Sequence, residues 1–394
     1  MPKYLPFLFL LFIIAVVMRD DFVFTLIYLF AGAFAAGIWW SSRALGQIEH
    51  NRKFCNHIFL GEKVEIMLQF RNTGWLPVPW LKIQDDLPVG LSSSPFFSAV
   101  TSLGSKDKAA FSYVLEGSKR GLYQIGPLLI STGDILGLNK AQYAQRPNQT
   151  LTVYPKIIAL RSVTIPSLSP QGTLRYHRPI FEDPTRIFSK REYVPGDSLR
   201  RVDWKATAVT GQMQVRVFEP TIALECLIVL DLNTRDYPYR SQIDSTELAI
   251  VIAASLAAWI SAKKQSIGLM VNGKDPLADD GKPQSIPARK GQAHLMRILE
   301  ILARAEMTET TDLSNFIQHE RVRLAWGTSL IVITGQVNAA LLDELYLARR
   351  AGLEVLVILA GRVGYAEDII HRAAHFGISV LSIASERDLD MWRK

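Results

Sequence analysis

The sequence predicts a multi-domain fold: an N-terminal transmembrane helical hairpin, an antiparallel β-sandwich, and a doubly wound α/β domain. Three observations carry this. Two apolar runs fill the first forty residues and are split by one charged triplet; a middle region alternates apolar and polar residues with period two; from about residue 223, buried β-branched runs alternate with helical segments. The expected boundaries are 1–45, 46–160, a charged linker segment at 161–222, and 223–394. At 394 residues the chain is too long for one ordinary domain.

Composition narrows the classes. With 48% hydrophobic and 21% charged residues the chain is globular rather than disordered. Its 44 Lys+Arg against 37 Asp+Glu give +7, spread along the chain and not gathered into a block, which argues against nucleic acid as a partner. Cys55 and Cys226 have no paired spacing, so a reducing compartment is expected.

The hairpin comes first. Residues 5–18 are apolar, Arg19, Asp20 and Asp21 interrupt, and residues 22–40 are apolar again. One continuous helix would place two carboxylates near mid-membrane at roughly 3 kcal/mol each. The charges therefore mark a turn at the membrane surface, the second run spanning a core of about 30 Å and the first only just. Lys3 before the hairpin and Arg43, Arg52 and Lys53 after it put both ends on the cytoplasmic side, and Trp39 and Trp40 fall where an aromatic belt would lie. Met18-Arg19-Asp20 is not a small-residue cleavage site, which argues against a removed signal peptide.

The sandwich follows. Val64, Ile66, Leu68 and Phe70 alternate with polar or exposed neighbours, as do Leu81 and Ile83, and Phe111, Tyr113 and Leu115, with Gly- and Pro-rich turns between them. This reads as six to eight strands over residues 47–160. It shows no catalytic constellation, so a stalk or docking role is expected.

In the last region, strands are expected at 227–232 (LIVLDL), 267–271, 330–334, 354–360 and 378–383. The helices between them are expected at 248–260, 294–305, 339–351 and 366–376, with Gly352 and Gly377 just past two helix ends. Helix-separated buried strands make a parallel sheet, whose ligands bind at the carboxyl ends of the strands near the switch point. The loop there reads Asp231-Leu232-Asn233-Thr234-Arg235-Asp236, with no glycine-rich phosphate cradle, so nucleotide chemistry is not expected.

An acidic residue at that strand end resembles the von Willebrand factor A fold, whose metal-ion-dependent adhesion site uses Asp-x-Ser-x-Ser with a Thr and an Asp from neighbouring loops. Only Asp231 matches; Asn233 could offer a carbonyl oxygen, Arg235 puts a cation where the second Ser belongs, and the strand-end stretch Thr334-Gly335-Gln336 has no Asp. Mg²⁺ demands hard oxygens in near-octahedral order, so Asp231 and Asn233 are weak metal candidates and no cofactor is expected.

The linker holds the densest motif, FSKREYVPGDSLRRVDWKATA at 188–208. Pro195-Gly196-Asp197 should turn the chain, and Asp197 or Ser198 should cap a short helix with Leu199, Val202 and Ala206 on one side. Arg191, Tyr193, Gly196, Asp197, Arg200, Arg201, Asp203, Trp204 and Lys205 are the candidate site. They suit either an ion-pair network locking two domains or a docking face for an acidic or phosphorylated partner. No Ser, Cys or His here has a nucleophile–base arrangement, so no catalytic residue is assigned. His371 and His375 stand four apart but flank Arg372 and lack a third ligand; Cys226 reads as a core residue; 275–282 (DPLADDGK) reads as a solvent loop.

The Arg191–Lys205 succession, with Arg120-Gly121-Leu122-Tyr123 and Gly133–Leu138 before it, resembles the bacterial family called domain of unknown function 58. That resemblance implies a membrane-anchored bacterial protein with no settled biochemical activity; with the residues read above, the expectation is a non-enzymatic binding or scaffold protein of the bacterial inner (plasma) membrane, its soluble part cytoplasmic. The resemblance also implies a MoxR-like AAA+ ATPase as partner. The alternative is a Mg²⁺-dependent adhesion-type module at Asp231.

Overall fold

The structure, a computed structural model, describes residues 5–18, 21–91, 94–134, 140–145, 149–161, 163, 182–195, 197–220, 225–278, 284–322 and 324–392. Gly196, the Arg19 and Asp20 of the hairpin tip, residues 135–138 of the second family element and residues 279–282 of the charged loop lie outside them. The chain divides into two compact units, Met1–Lys156 with Leu302–Arg304, and Ile157–Ile301 with Ala305–Lys394.

The first unit begins with α1 (Leu5–Met18) and α2 (Asp21–Leu45). At about 1.5 Å per residue, α2 is about 37 Å long, enough to cross a hydrocarbon core of about 30 Å, whereas α1 reaches only about 21 Å. Phe9, Leu10, Phe12, Val17, Phe22, Tyr28, Leu29 and Trp39 are exposed, an apolar surface that water does not favour. The helix α2 outruns the expected end at residue 40: Ser41 and Ala44 are buried, and the Trp40 indole Nε1 donates to the Pro77 carbonyl at 3.1 Å. Trp40 is thus engaged by protein, leaving Trp39 as the exposed ring. A second stretch, Tyr239–Ala262, is also long and apolar enough to cross a membrane, but 72% of its window is buried in the second unit.

The strands of the first unit are β1 (Ile48–Lys53), β2 (His57–Phe59), β3 (Lys63–Asn72), β4 (Val78–Asp86), β5 (Phe96–Leu103), β6 (Lys108–Glu116), β7 (Gly121–Ile125), β8 (Leu128–Gly133), β9 (Lys140–Gln145) and β10 (Gln149–Tyr154). They form three sheets among the described residues, ordered β1-β3-β6, β2-β10-β7 and β5-β4-β8-β9. The period-two pattern is realised: along β3, Val64, Ile66, Leu68 and Phe70 are buried and their neighbours exposed. The strand count exceeds the expected six to eight because short strands such as β2 and β7 have too few residues for alternation to show.

One polar cluster ties the three sheets. Arg52 on β1 donates through Nη2 to Asp85 Oδ1 on β4 at 2.6 Å and through Nη1 to the Ile125 carbonyl on β7 at 3.0 Å. The Tyr113 hydroxyl on β6 donates to Asp85 Oδ2 at 2.7 Å. Arg52, expected as a membrane-flanking cation, is instead buried. Desolvation raises the Asp85 carboxyl above its ordinary range even though Arg52 pulls the other way.

The second unit opens with a hairpin of β11 (Glu182–Glu192) and β12 (Gln214–Pro220), enclosing α3 (Trp204–Thr210). The remaining elements are β13 (Glu225–Asp231), α4 (Gln242–Ala262), β14 (Ser266–Asn272), β15 (Gln284–Arg289), α5 (Gln292–Arg304), α6 (Leu313–Arg321), β16 (Ser329–Thr334), α7 (Ala339–Arg350), β17 (Glu354–Ala360), α8 (Ala366–His375) and β18 (Ser379–Ile383). The sheet runs β15-β14-β13-β16-β17-β18, parallel except for β15. Successive residues of β13, β16 and β17 are buried on both faces, which is why these strands read as continuous apolar runs. The helix α4 is apolar all round because Ala249, Ile250, Ile252, Ala253, Leu256 and Ile260 are fully buried. Gly352 and Gly377 take positive φ just past α7 and α8, as expected.

Replacing Asp85 by Ala would leave the Arg52 guanidinium buried and unpaired. Urea unfolding of the detergent-solubilised chain, followed by tryptophan fluorescence, should then show a loss of about 3–5 kcal/mol in the first unit. The apolar triple variant Arg52→Met, Asp85→Leu, Tyr113→Phe should recover most of it.

Candidate functional site

The sheet places its switch point between β13 and β16, since the chain leaves β13 toward β14 on one side and returns to β16 on the other. At that edge, β13 ends on Asp231, paired across the ladder with Asn272 of β14, while Thr334 ends β16. All three side chains are buried. Thr334 Oγ1 donates to Asp231 Oδ2 at 2.8 Å, Asn272 Nδ2 to Asp231 Oδ1 at 3.3 Å, and the Asn233 amide to the same oxygen at 3.1 Å. Asn272 is itself held by the Thr310 hydroxyl at 3.1 Å and donates to the Thr311 carbonyl at 3.0 Å.

The loop after β13 folds back over this edge. The Tyr237 hydroxyl donates to the Asp231 carbonyl at 2.7 Å, and Asn233 Oδ1 accepts from the Arg235 amide at 3.3 Å. Gly335 is required beside it, because a Cβ there would collide with the Tyr237 ring and the Asp236 carbonyl. The Arg235 side chain points outward to Glu309 at 2.8 Å.

Asp236 lies close enough to Asp231 for the two carboxyls to be coupled electrostatically. Burial, and then the charge of Asp236, pushes the Asp231 carboxyl up to about 7; burial also raises Asp236, with Asp312 adding to it. Asp236 Oδ2 is buried with no N–H or hydroxyl donor. Two carboxyls this close titrate as a unit, and burial favours the protonated form of the pair.

These features decide what the edge can bind. Both Asp231 oxygens already accept hydrogen bonds, Asn233 serves the loop, and among the described residues no three His, Cys, Asp or Glu side chains stand close enough to hold a metal ion. Beside the pair opens a cleft of about 340 Å³ lined by Asp236, Gln336, Tyr365, Ile369 and Arg372 among others, none of them Ser, Cys or His. Sequence reasoning missed Asp236, Asn272, Thr334 and Tyr237 as partners of Asp231. For Asn272 and Thr334 the signal was a polar residue ending an apolar strand, SIGLMVN and SLIVIT, as Asp231 ends ECLIVLD; Asp236 and Tyr237, in the loop after β13, carried no such mark.

The motif at 188–208 is a second candidate site. Arg191 makes a two-pronged pair with Asp197, 2.7 Å at each prong, and Asp197 Oδ2 also accepts the Val194 amide at 3.0 Å. Asp203 receives Lys190 at 2.9 Å and Arg216 at 3.5 Å. It, and not Asp197 or Ser198, caps α3 by accepting the Ala206 amide at 3.2 Å. The Lys190 hydrogen bond, then the Ala206 amide, hold the Asp203 carboxyl down to about 2. Leu199 is exposed, not turned inward with Val202, and Tyr193 is half-buried. Arg200, Arg201, Trp204 and Lys205 are exposed, so these ion pairs close within the motif and leave a cationic and aromatic outer face.

Residues 189–360 match the model of a family described as protein of unknown function DUF58. The matched stretch begins with this hairpin and runs through β17. The chain is similar to the uncharacterized protein YeaD of Bacillus subtilis, 26% identical over 310 residues, covering 76% of this chain and 72% of YeaD. The uncharacterized protein Mb1516 of Mycobacterium bovis is 28% identical over 113 residues, 29% of this chain, which spans only 34% of that relative. Among solved structures, the CARDB domain of a Pyrococcus furiosus protein is 15% identical, with TM-score 0.20, over 27% of this chain and 86% of that one. Proximal thread matrix protein 1 of the mussel byssus is 12% identical, with TM-score 0.32, over 43% of this chain and 46% of its own.

Cys226 is buried, which pushes its thiol up to about 11, and it is bonded to Ser329. His371 and His375 are exposed. Asp275, expected in a solvent loop, is buried, and its Oδ1 accepts the Leu277 amide at 3.0 Å.

The raised Asp231 carboxyl fixes a pH dependence. Its protonated form is favoured by the fold, so its stabilising contribution is complete below the ordinary carboxylate value of ~4 and is lost as pH rises through the folded value of about 7. Thermal unfolding of the detergent-solubilised chain should show the second unit losing stability between about pH 4 and about pH 8, and Asp231→Asn should flatten that slope.

Proposed function

We propose that the chain is a membrane-anchored, non-enzymatic binding protein whose α/β unit offers the cleft beside Asp236 to a protein partner. The observation that carries this is the switch-point edge itself. It is the position where such sheets bind ligands, yet its carboxyl groups are spent on one another and on the loop, and the adjoining cleft is lined by recognition groups without a nucleophile. Tyr365 and Arg372 supply an aromatic ring and a guanidinium, residue types that anchor protein interfaces. On this reading the unit is a degenerate von Willebrand factor A-like domain that recognises its partner without a metal. The Mg²⁺-dependent alternative would require Asp231 to surrender its hydrogen bonds and its proton.

The helix α2 is the anchor, and its exposed apolar surface supports that part of the reading. With Arg43 and Lys53 exposed after it, the positive-inside tendency favours an inner (plasma) membrane protein with both units cytoplasmic. The partner class that fits the family resemblance is a MoxR-like AAA+ ATPase, which would contribute the ATP hydrolysis for which this chain has no phosphate cradle.

Affinity capture from detergent extract, with the chain as bait, should retain the MoxR-type ATPase of the same organism. Retention should survive a chelator and Asp231→Asn, and fall at least about tenfold with Tyr365→Glu or Arg372→Glu. Absence of the ATPase, or its loss on chelation, contradicts the reading. Orientation is tested by a cysteine introduced at the exposed Val322, in a Cys55→Ser background that leaves only the buried Cys226: a membrane-impermeant maleimide should reach it in intact cells only after permeabilisation.

A further inference from the structure

We infer that the outer face of the hairpin motif, Leu199, Trp204 and Val209 with Arg200, Arg201 and Lys205, docks on the anionic surface of the bilayer that anchors the chain. The inference rests on the reading of α2 as a membrane span. Trp204 is 66% exposed, Leu199 62% and Val209 83%, although each is large and apolar. They lie outward because the inward positions are already filled. Val202 and Val215 are buried, and Thr207 Oγ1 accepts the Gln214 amide at 3.1 Å, fixing α3 against β12. On α3, Trp204 and Ala208 form one row and Lys205 and Val209 the next, so the indole, the isopropyl group and the ammonium share the solvent side.

Charge decides the occupant. The acids of the motif are largely consumed: Asp197 by Arg191, with the Arg201 charge also acting on it, and Asp203 by Lys190 and Arg216. Glu192 is the exposed acid nearby, against the three exposed cations Arg200, Arg201 and Lys205. Lys and Arg beside exposed apolar and indole groups suit the boundary between lipid headgroups and acyl chains. There the long stems bury while the charged heads meet phosphates, and Trp keeps its ring at headgroup level. So short a face would bind a bilayer only weakly by itself. Here an anchor in the same chain keeps the bilayer near, which turns a weak attraction into a populated contact. An acidic protein would find the same cations, but nothing tethers it.

The test uses the full chain, with Cys55→Ser and a nitroxide on Val209→Cys, reconstituted into vesicles of phosphatidylcholine alone or with roughly 30% phosphatidylglycerol. Flotation of the vesicles first reports whether the chain is anchored. The readout is then the label's collision with lipid-soluble oxygen relative to a water-soluble nickel chelate, with a label on Val322→Cys as the aqueous reference. In anionic vesicles the ratio at 209 should rise several-fold over the reference. It should return to the reference value in neutral vesicles, in roughly 1 M salt, or with Arg200, Arg201 and Lys205 all changed to Glu. A chain that fails to float overturns the anchor and this face with it. A chain that floats while the label at 209 stays aqueous in anionic vesicles overturns the face alone.

Discussion

Burial of the Asp231 carboxyl at the end of the central strand is the constraint from which the rest of the α/β edge follows. A carboxylate removed from water costs several kcal/mol unless it is paired, hydrogen-bonded or protonated. This one draws on the last two. Thr334, Asn272 and the Asn233 amide hydrogen-bond it, and burial, with the charge of Asp236 beside it, pushes the carboxyl up to about 7 and so favours its protonated form. Those partners dictate the loop after β13, the placement of Tyr237 and the need for glycine at position 335. The strand edge is thereby closed from within by its own hydrogen bonds, and the cleft lined by Asp236, Tyr365 and Arg372 opens beside it.

The first unit meets the same physical problem with a different solution. Asp85 is as deeply buried as Asp231, but a guanidinium balances it and a tyrosine hydroxyl satisfies its second oxygen. An acid neutralised by Arg52 is a fixed brace among three sheets. An acid neutralised by a proton responds to pH, and with its value raised to about 7 it does so near neutrality.

Much of the architecture was legible because burial writes a period into the chain. Strands β13, β16 and β17 are apolar throughout and were placed within two residues; β3 alternates cleanly; α2 is too apolar to be missed. What escaped was weakly periodic or non-local. The edge strand β15 is half exposed and carries a proline, and the short helix α6 packs only a few apolar residues. Arg52 read as a flanking cation because its partner is 33 residues away on another sheet. In the candidate site, Asp231 was visible, but Thr334 lies 103 residues further on and Asn272 41, and only the parallel register brings their strand ends together. The motif at 188–208 was conspicuous by composition, while its division into inward pairs and an outward face depended on Asp203 being the cap.

The central claim is that burial beside Asp236 raises the Asp231 carboxyl to about 7, so that its protonated form is well populated near neutral pH. Infrared difference spectroscopy of the full chain in detergent, comparing the parent with Asp231→Asn, reads this directly. The account predicts a carbonyl stretch of a protonated carboxylic acid at neutral pH that is lost in the variant and fades as the solution is made alkaline. Two ionised carboxylates at neutral pH, with bands that shift on adding Mg²⁺, would contradict it.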